Sequence, residues 1–222
     1  MRCGPITLFH LFFYCKRYVA ATLLLFNFSG LFAQPDTWAQ MADMPSSPVP
    51  AAPRDRASSF AINGIGYIGL GSNGGSTFYN SLWAYDPSTD TWTQKADLTL
   101  ANASRCRSFS FSLNGKGYIG TGWDGAYLQG VFEYDPGGNN WTAKNIFSGG
   151  ARYSTSAFTV GNKAYVAGGY DGSILNELWE YNPASDVWTQ KANMPAGRYS
   201  AVAFSIGAAG YVGTGFDGAY LN

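Results

Sequence analysis

The sequence predicts an all-β fold built from a repeated unit of four short antiparallel strands. Three observations point to it. Aromatic residues make up 17% of the chain and charged residues 13%, with 28 glycines, too aromatic for disorder and too glycine-punctuated for a helical bundle. A tyrosine landmark returns at Tyr67, Tyr118, Tyr165 and Tyr211. Around each landmark the same residue types stand at the same distances, the signature of a tandem architecture.

The unit reads strand by strand. An arginine opens each one (Arg54, Arg105, Arg152, Arg198), and a phenylalanine follows at Phe60, Phe111, Phe158 and Phe204. In the second unit Ser108-Phe109-Ser110-Phe111-Ser112-Leu113 alternates polar and apolar residues, the period of a half-buried strand. Asn63-Gly64 and Asn114-Gly115 supply tight hairpin turns into the second strand, which carries the landmark tyrosine. A glycine-rich loop leads to the third strand: Leu82-Trp83-Ala84-Tyr85, Val131-Phe132-Glu133-Tyr134 and Leu178-Trp179-Glu180-Tyr181. Asp-Pro or Asn-Pro then starts a turn, and the fourth strand begins at Trp92, Trp141 or Trp188. Four meandering strands per period of roughly 50 residues describe a propeller blade.

Paired glycines, a tyrosine and a tryptophan in this order resemble the kelch repeat over about residues 36–222. The resemblance implies a kelch-type β-propeller with four-stranded antiparallel blades. Only the third unit keeps adjacent glycines, Gly168-Gly169, where the others have Gly69-Leu70-Gly71, Gly120-Thr121-Gly122 and Gly213-Thr214-Gly215. The same glycines match a dinucleotide fingerprint, but that motif must open a helix to hold a pyrophosphate, and here each copy leads into a strand. Trp123-Asp124 resembles the dipeptide of another propeller family, without the Gly-His pair that should precede it.

The expected boundaries are a signal peptide over 1–33, a fourth strand and linker of the closing blade over 34–53, and blades over 54–104, 105–151, 152–197 and, in part, 198–222. Lys16-Arg17, the apolar run Val19–Phe28 and Leu31-Phe32-Ala33 form the export signal; its run is shorter than the roughly 20 residues a membrane span needs. The alignment of Trp38–Pro45 with Trp188–Pro195 gives the lone fourth strand. About three and a half blades result, against the roughly 4–8 of a closed propeller. The expectation is an incomplete ring, either a piece of a longer protein or a chain that closes by self-association.

Composition also bounds function. Lys+Arg and Asp+Glu are 14 each, so no basic excess points to nucleic acid or an anionic membrane. Removing residues 1–33 takes His10, Cys3 and Cys15 and leaves Cys106 as the last cysteine, so no intrachain disulfide is expected after export. Without histidine, the copper site of the kelch enzyme galactose oxidase has no ligand set, and histidine-assisted base or nucleophile catalysis has no base. One cysteine cannot build a zinc cluster. No cofactor is expected.

Loops between the fourth and first strands, and between the second and third, share one face of the disc, and such loops carry binding residues on a rigid frame. The candidate binding set lies there: Arg54, Arg105, Arg152 and Arg198, the extra Arg56 and Arg107, and the triplet residues Trp123-Asp124, Tyr170-Asp171 and Phe216-Asp217. Phe78, Tyr79, Tyr127 and Tyr220 add aromatics. Guanidinium donors beside aromatic platforms suit a carboxylated sugar, a glycan or an acidic peptide. The repeated residues have a structural reading as well: each arginine pairs with a loop aspartate or bonds exposed carbonyls, and each aspartate braces its own turn. The expectation is a secreted, extracellular or cell-surface (or periplasmic) binding or adhesion module for a protein or glycan. The alternatives are a non-catalytic part of a larger carbohydrate-active enzyme and a kelch-type sialic acid mutarotase.

Overall fold

The computed structural model describes residues 39–45 and 53–221. Residues 41–222 form one compact unit. The signal peptide expected over 1–33 lies outside the described residues.

Fourteen strands follow in order: β1 (Ser58–Ile62), β2 (Ile65–Gly69), β3 (Leu82–Asp86), β4 (Thr91–Lys95), β5 (Phe109–Leu113), β6 (Lys116–Trp123), β7 (Tyr127–Asp135), β8 (Asn140–Lys144), β9 (Ser156–Val160), β10 (Lys163–Ala167), β11 (Leu178–Asn182), β12 (Val187–Gln190), β13 (Val202–Ile206) and β14 (Ala209–Gly213). They make three four-stranded antiparallel meanders, β1–β4, β5–β8 and β9–β12, and the two-stranded pair β13–β14. No helix occurs among the described residues. The first strands β1, β5, β9 and β13 adjoin one another in that order, so the four sheets stand side by side as blades around a common axis, in an open arc. In β5 the alternation seen in sequence is the alternation of burial, with Phe109, Phe111 and Leu113 inside. The Asn63-Gly64 turn has both residues at positive φ, 51° and 81°, the primed geometry that matches strand twist.

The core lies between blades. In every blade the landmark phenylalanine and tyrosine face each other across the first two strands and stack, at centroid distances of 5.1, 4.9, 5.2 and 5.3 Å. The third-strand tyrosine of the next blade closes over that pair: Tyr134 lies 5.6 Å from Tyr67, and Tyr181 lies 5.8 Å from Tyr118. Behind each stands the tryptophan of the fourth strand, with Trp141 at 5.1 Å and Trp188 at 4.6 Å. Each such ring pair contributes about 0.5–1.5 kcal/mol beyond the area it buries. Gly117 makes this packing possible, because a Cβ there would come within 2.2 Å of the Phe60 ring of the preceding blade. Phe60 and Phe111 are 8% and 6% exposed under their neighbours, whereas Phe204 in β13 is 50% exposed, beside Val202 and Ile206.

A polar clamp repeats outside this core. Ala96 donates its N–H to Asn139 Oδ1 and accepts the Trp141 indole N–H, at 2.9 Å each. Ala42 makes the same two bonds to Asp90 Oδ1 and Trp92, at 2.8 Å each. Residues around Ala42 therefore sit against the first blade with the same two bonds that Ala96, past the end of β4, makes to the second blade. The described part of that segment, 39–45, is not itself a strand.

Candidate functional site

The site is built where each chain segment enters its first strand. The residue after each repeated arginine bridges to the glycine-rich loop of its own blade: Asp55 to Ser72, Cys106 to Trp123, Tyr153 to Tyr170, and Tyr199 to Phe216. The loop turns back here because its second glycine takes a conformation closed to other residues. Gly122 has φ 116°, and a Cβ on it would meet the Cys106 carbonyl at 2.8 Å. The next residue along, Arg56, Arg107, Ser154 or Ser200, has φ of 50–56°. These four backbones form a chain of hydrogen bonds from blade to blade. Ser200 N–H donates to Ser154 O (2.9 Å), Ser154 N–H to Arg107 O (2.8 Å), and Arg107 N–H to Arg56 O (3.1 Å). Their side chains ring the mouth of the axis.

Outside that ring runs a file of aromatic rings. Trp123 meets Tyr127 at 5.1 Å and Tyr153 at 5.7 Å, both edge to face. Tyr153 meets Tyr170 (5.6 Å), Tyr170 meets Tyr199 (5.5 Å), Tyr199 meets Phe216 (5.5 Å), and Phe216 meets Tyr220 (5.4 Å). The file crosses three blades. The first blade breaks it with a polar pair, in which Ser72 donates to Asp55 Oδ1 at 2.5 Å.

The repeated arginines turn to loop carbonyls, and Arg105 and Arg152 are buried there. Arg105 is fully buried and donates to the carbonyls of Asn102, Ala103, Thr121 and Gly130, with its guanidinium 4.8 Å over the Phe132 ring. Burial pulls its pKa down to about 10, so it keeps its proton at neutral pH. Arg152 is buried too; it bonds Gly149 O and Gly168 O, and pairs with Glu177 at 2.8 Å. Arg54 donates to Leu70 O and Ser81 Oγ, and Arg198 to Thr214 O. Each of the four bonds a carbonyl of its own glycine-rich loop, one of the two structural readings of the sequence. Asp124, Asp171 and Asp217 each accept the N–H two residues ahead, at 3.1, 3.0 and 3.1 Å, and so brace their turns.

Arg56 and Arg107 remain at the mouth. Arg56 pairs with Asp55 at 3.1 Å and is half-exposed. Arg107 lies over Tyr153, 4.9 Å from its centroid. Two hollows adjoin them. An open cavity of about 850 Å³ at the axis is lined by Arg56, Arg107, Ser154, Ser200, Tyr199 and Phe216. A cleft of about 290 Å³ is lined by residues of the first three blades, among them Phe78, Cys106, Arg107, Trp123, Tyr127 and Tyr153. Burial raises the Cys106 thiol pKa. Among the described residues no group of His, Cys, Asp and Glu is placed to hold a metal ion. The arrangement can stack and hydrogen-bond a ligand.

Of the residues expected from sequence, Arg56, Arg107, Trp123, Tyr170 and Phe216 come together here. Arg54, Arg105, Arg152, Arg198 and the three triplet aspartates stand in bracing positions. Tyr153 and Tyr199 are additions. Their signal was the repeated tripeptide Arg-Tyr-Ser at 152–154 and 198–200. The second-blade loop also differs from expectation: β6 and β7 extend through it as a hairpin with an irregularity between Gly120 and Gly122.

Comparison with known proteins agrees with this geometry. The family model for the Kelch motif matches residues 71–99 and 151–195. The chain carries Kelch motifs in these two stretches and has the four-stranded blades of a kelch-type β-propeller. Among solved structures, the one titled "Structure of YjhT" superimposes with a TM-score of 0.66 at 18% sequence identity. That match covers 81% of this chain and 63% of YjhT, so the chain spans less than two thirds of that protein's length. No curated protein matches the chain in sequence. No helix of the described residues is long and apolar enough to cross a membrane.

Proposed function

We propose that this kelch protein is an exported, non-catalytic binding or adhesion module that holds an extracellular glycan or protein on the loop face of its blades. The aromatic file from Trp123 to Tyr220 carries this reading. Seven rings in unbroken contact, Tyr127 among them, set on strand ends, make a large amphipathic surface with little conformational freedom to lose on binding. Repeat packing does not require it, since the first blade holds Asp55 and Ser72 at the equivalent positions. Export rests on the charged and apolar pattern of residues 16–33.

Retention of the full chain on a mixed glycan and peptide array tests the proposal. Ligand held by the wild type should be lost from Trp123→Ala and from Tyr170→Ala, each by about 2 kcal/mol, or roughly thirtyfold. Retention unchanged in both variants removes the aromatic file from the function. Conversion of the ligand to a new product, followed by mass spectrometry, turns the reading from binding to catalysis.

A further inference from the structure

The six arginines of the candidate set are not equivalent, and the difference identifies what the axial mouth recognises. Arg105 and Arg152 are buried against carbonyls, Arg54 and Arg198 brace loops, and Arg56 is paired with Asp55. Arg107 alone forms no hydrogen bond or ion pair through its guanidinium among the described residues. It sits instead over the Tyr153 ring, 4.9 Å away, with its N–H donors open. Arg107 lines both the axial cavity and the aromatic cleft, so its fork stands on the wall between them. Two arginines and no acidic residue line the axial cavity. The hydroxyls of Ser154 and Ser200 point to no protein partner among the described residues, and Tyr199, Phe216 and Tyr220 form an apolar wall. Its volume of about 850 Å³ falls in the usual range for small-molecule sites, roughly 300–1,000 Å³.

We infer that the axial mouth is an anion-reading site for an acidic sugar unit, with Arg107 taking its carboxylate or sulfate in a forked hydrogen-bonded pair. The inference rests on the binding role proposed above and narrows it to one ligand class. An acidic peptide fits less well. Main-chain pairing with an added peptide strand is closed off here, because the backbone is already engaged, with Ser200, Ser154 and Arg107 donating around the axis. What the mouth offers is side-chain recognition: a guanidinium fork, two hydroxyls and flat rings, which match a charged, polyhydroxylated ring.

Arg107→Ser is the informative variant. Serine already occupies the equivalent Ser154 and Ser200 positions with the same left-handed backbone and the same hydrogen-bonded chain, so the substitution leaves the ring intact. Binding of the full chain is measured by calorimetry to matched oligosaccharides that are neutral, carboxylated or sulfated, and to an acidic peptide. The expected result is acidic-sugar binding at least about tenfold tighter than neutral binding, lost in Arg107→Ser and only slightly weakened in Arg56→Ser, whose charge Asp55 already offsets. The carboxylated and sulfated arms tell which anion is read. Equal binding of neutral and acidic sugars, or acidic binding that survives Arg107→Ser, overturns the anion site and leaves the binding role standing. Retention of the peptide alone overturns the ligand class. Binding of nothing overturns both the site and the role. An unchanged thermal midpoint for Arg107→Ser attributes any loss to the ligand, and a collapse of that midpoint transfers the test to Arg107→Asn, since asparagine tolerates the left-handed backbone.

Discussion

Arg105 and Arg107 stand two residues apart on one chain segment and live in different worlds. Arg105 is enclosed, with carbonyls at the tip of its side chain and the Phe132 ring beneath it. Arg107 lies over Tyr153 at the edge of the axial cavity. The repeat explains the first and not the second. Every unit has an arginine at the Arg105 position, and each reaches a carbonyl of its own glycine-rich loop: Leu70, Thr121, Gly168 or Thr214. At the Arg107 position the later units have serine. A residue that recurs serves the blade, and a residue that varies on an unvarying backbone is available to a ligand.

This contrast can be broken most forcefully at Arg105. Arg105→Met leaves several buried carbonyls without a donor, at about 1–3 kcal/mol each, and should lower unfolding free energy by about 3 kcal/mol or more in urea titration. A change under about 1 kcal/mol would mean that the carbonyls find other donors and that the buried arginine is not a brace. Gly122→Ala follows, since its Cβ meets both Ser108 Oγ and the Cys106 carbonyl at a φ of 116°; a loss of about 2 kcal/mol is expected. Full stability in that variant would show that the loop can turn back by another route.

The inter-blade tyrosines give a pH signature. Burial raises Tyr134 to about 12, and burial likewise raises Tyr118 and Tyr181. In the unfolded chain these hydroxyls ionise near 10, so above that pH the unfolded state binds fewer protons and stability falls as pH rises from 10 toward 12. Stability measured from pH 8 to 11 should be flat and then decline. No alkaline decline would contradict the burial of these rings. The smallest effect belongs to Arg107→Ser, which should shift stability by less than about 0.5 kcal/mol while abolishing acidic-sugar binding.

Fixed offsets made the blade plan legible in the sequence. Phe60 with Tyr67, Tyr85 with Trp92 and the Asn-Gly turns each mark a distance that only a strand meander satisfies, and the structure places them accordingly. The depth of Arg105 was not legible, because a charged residue at a strand entrance looks the same whether its loop closes over it or opens away. Tyr153 and Tyr199 were hidden for the opposite reason. They sit beside a landmark in two units, and Asp55 and Cys106 break the pattern in the others, so spacing alone did not separate them from filler. Only the bridge to the glycine-rich loop, which joins Tyr153 to Tyr170 across 17 residues, brings them into the aromatic file.

The hydrogen-bonded chain through Arg56, Arg107, Ser154 and Ser200 has a consequence for how such a protein diversifies. Main-chain hydrogen bonds join these four residues, and their side chains project from that frame, Arg56 to Asp55, Arg107 over Tyr153, and the two serines at the cavity wall. Residues that tolerate the left-handed backbone can be exchanged there, and the chemistry presented at the axis is then a four-letter word that an engineer can respell while the architecture beneath it stays put.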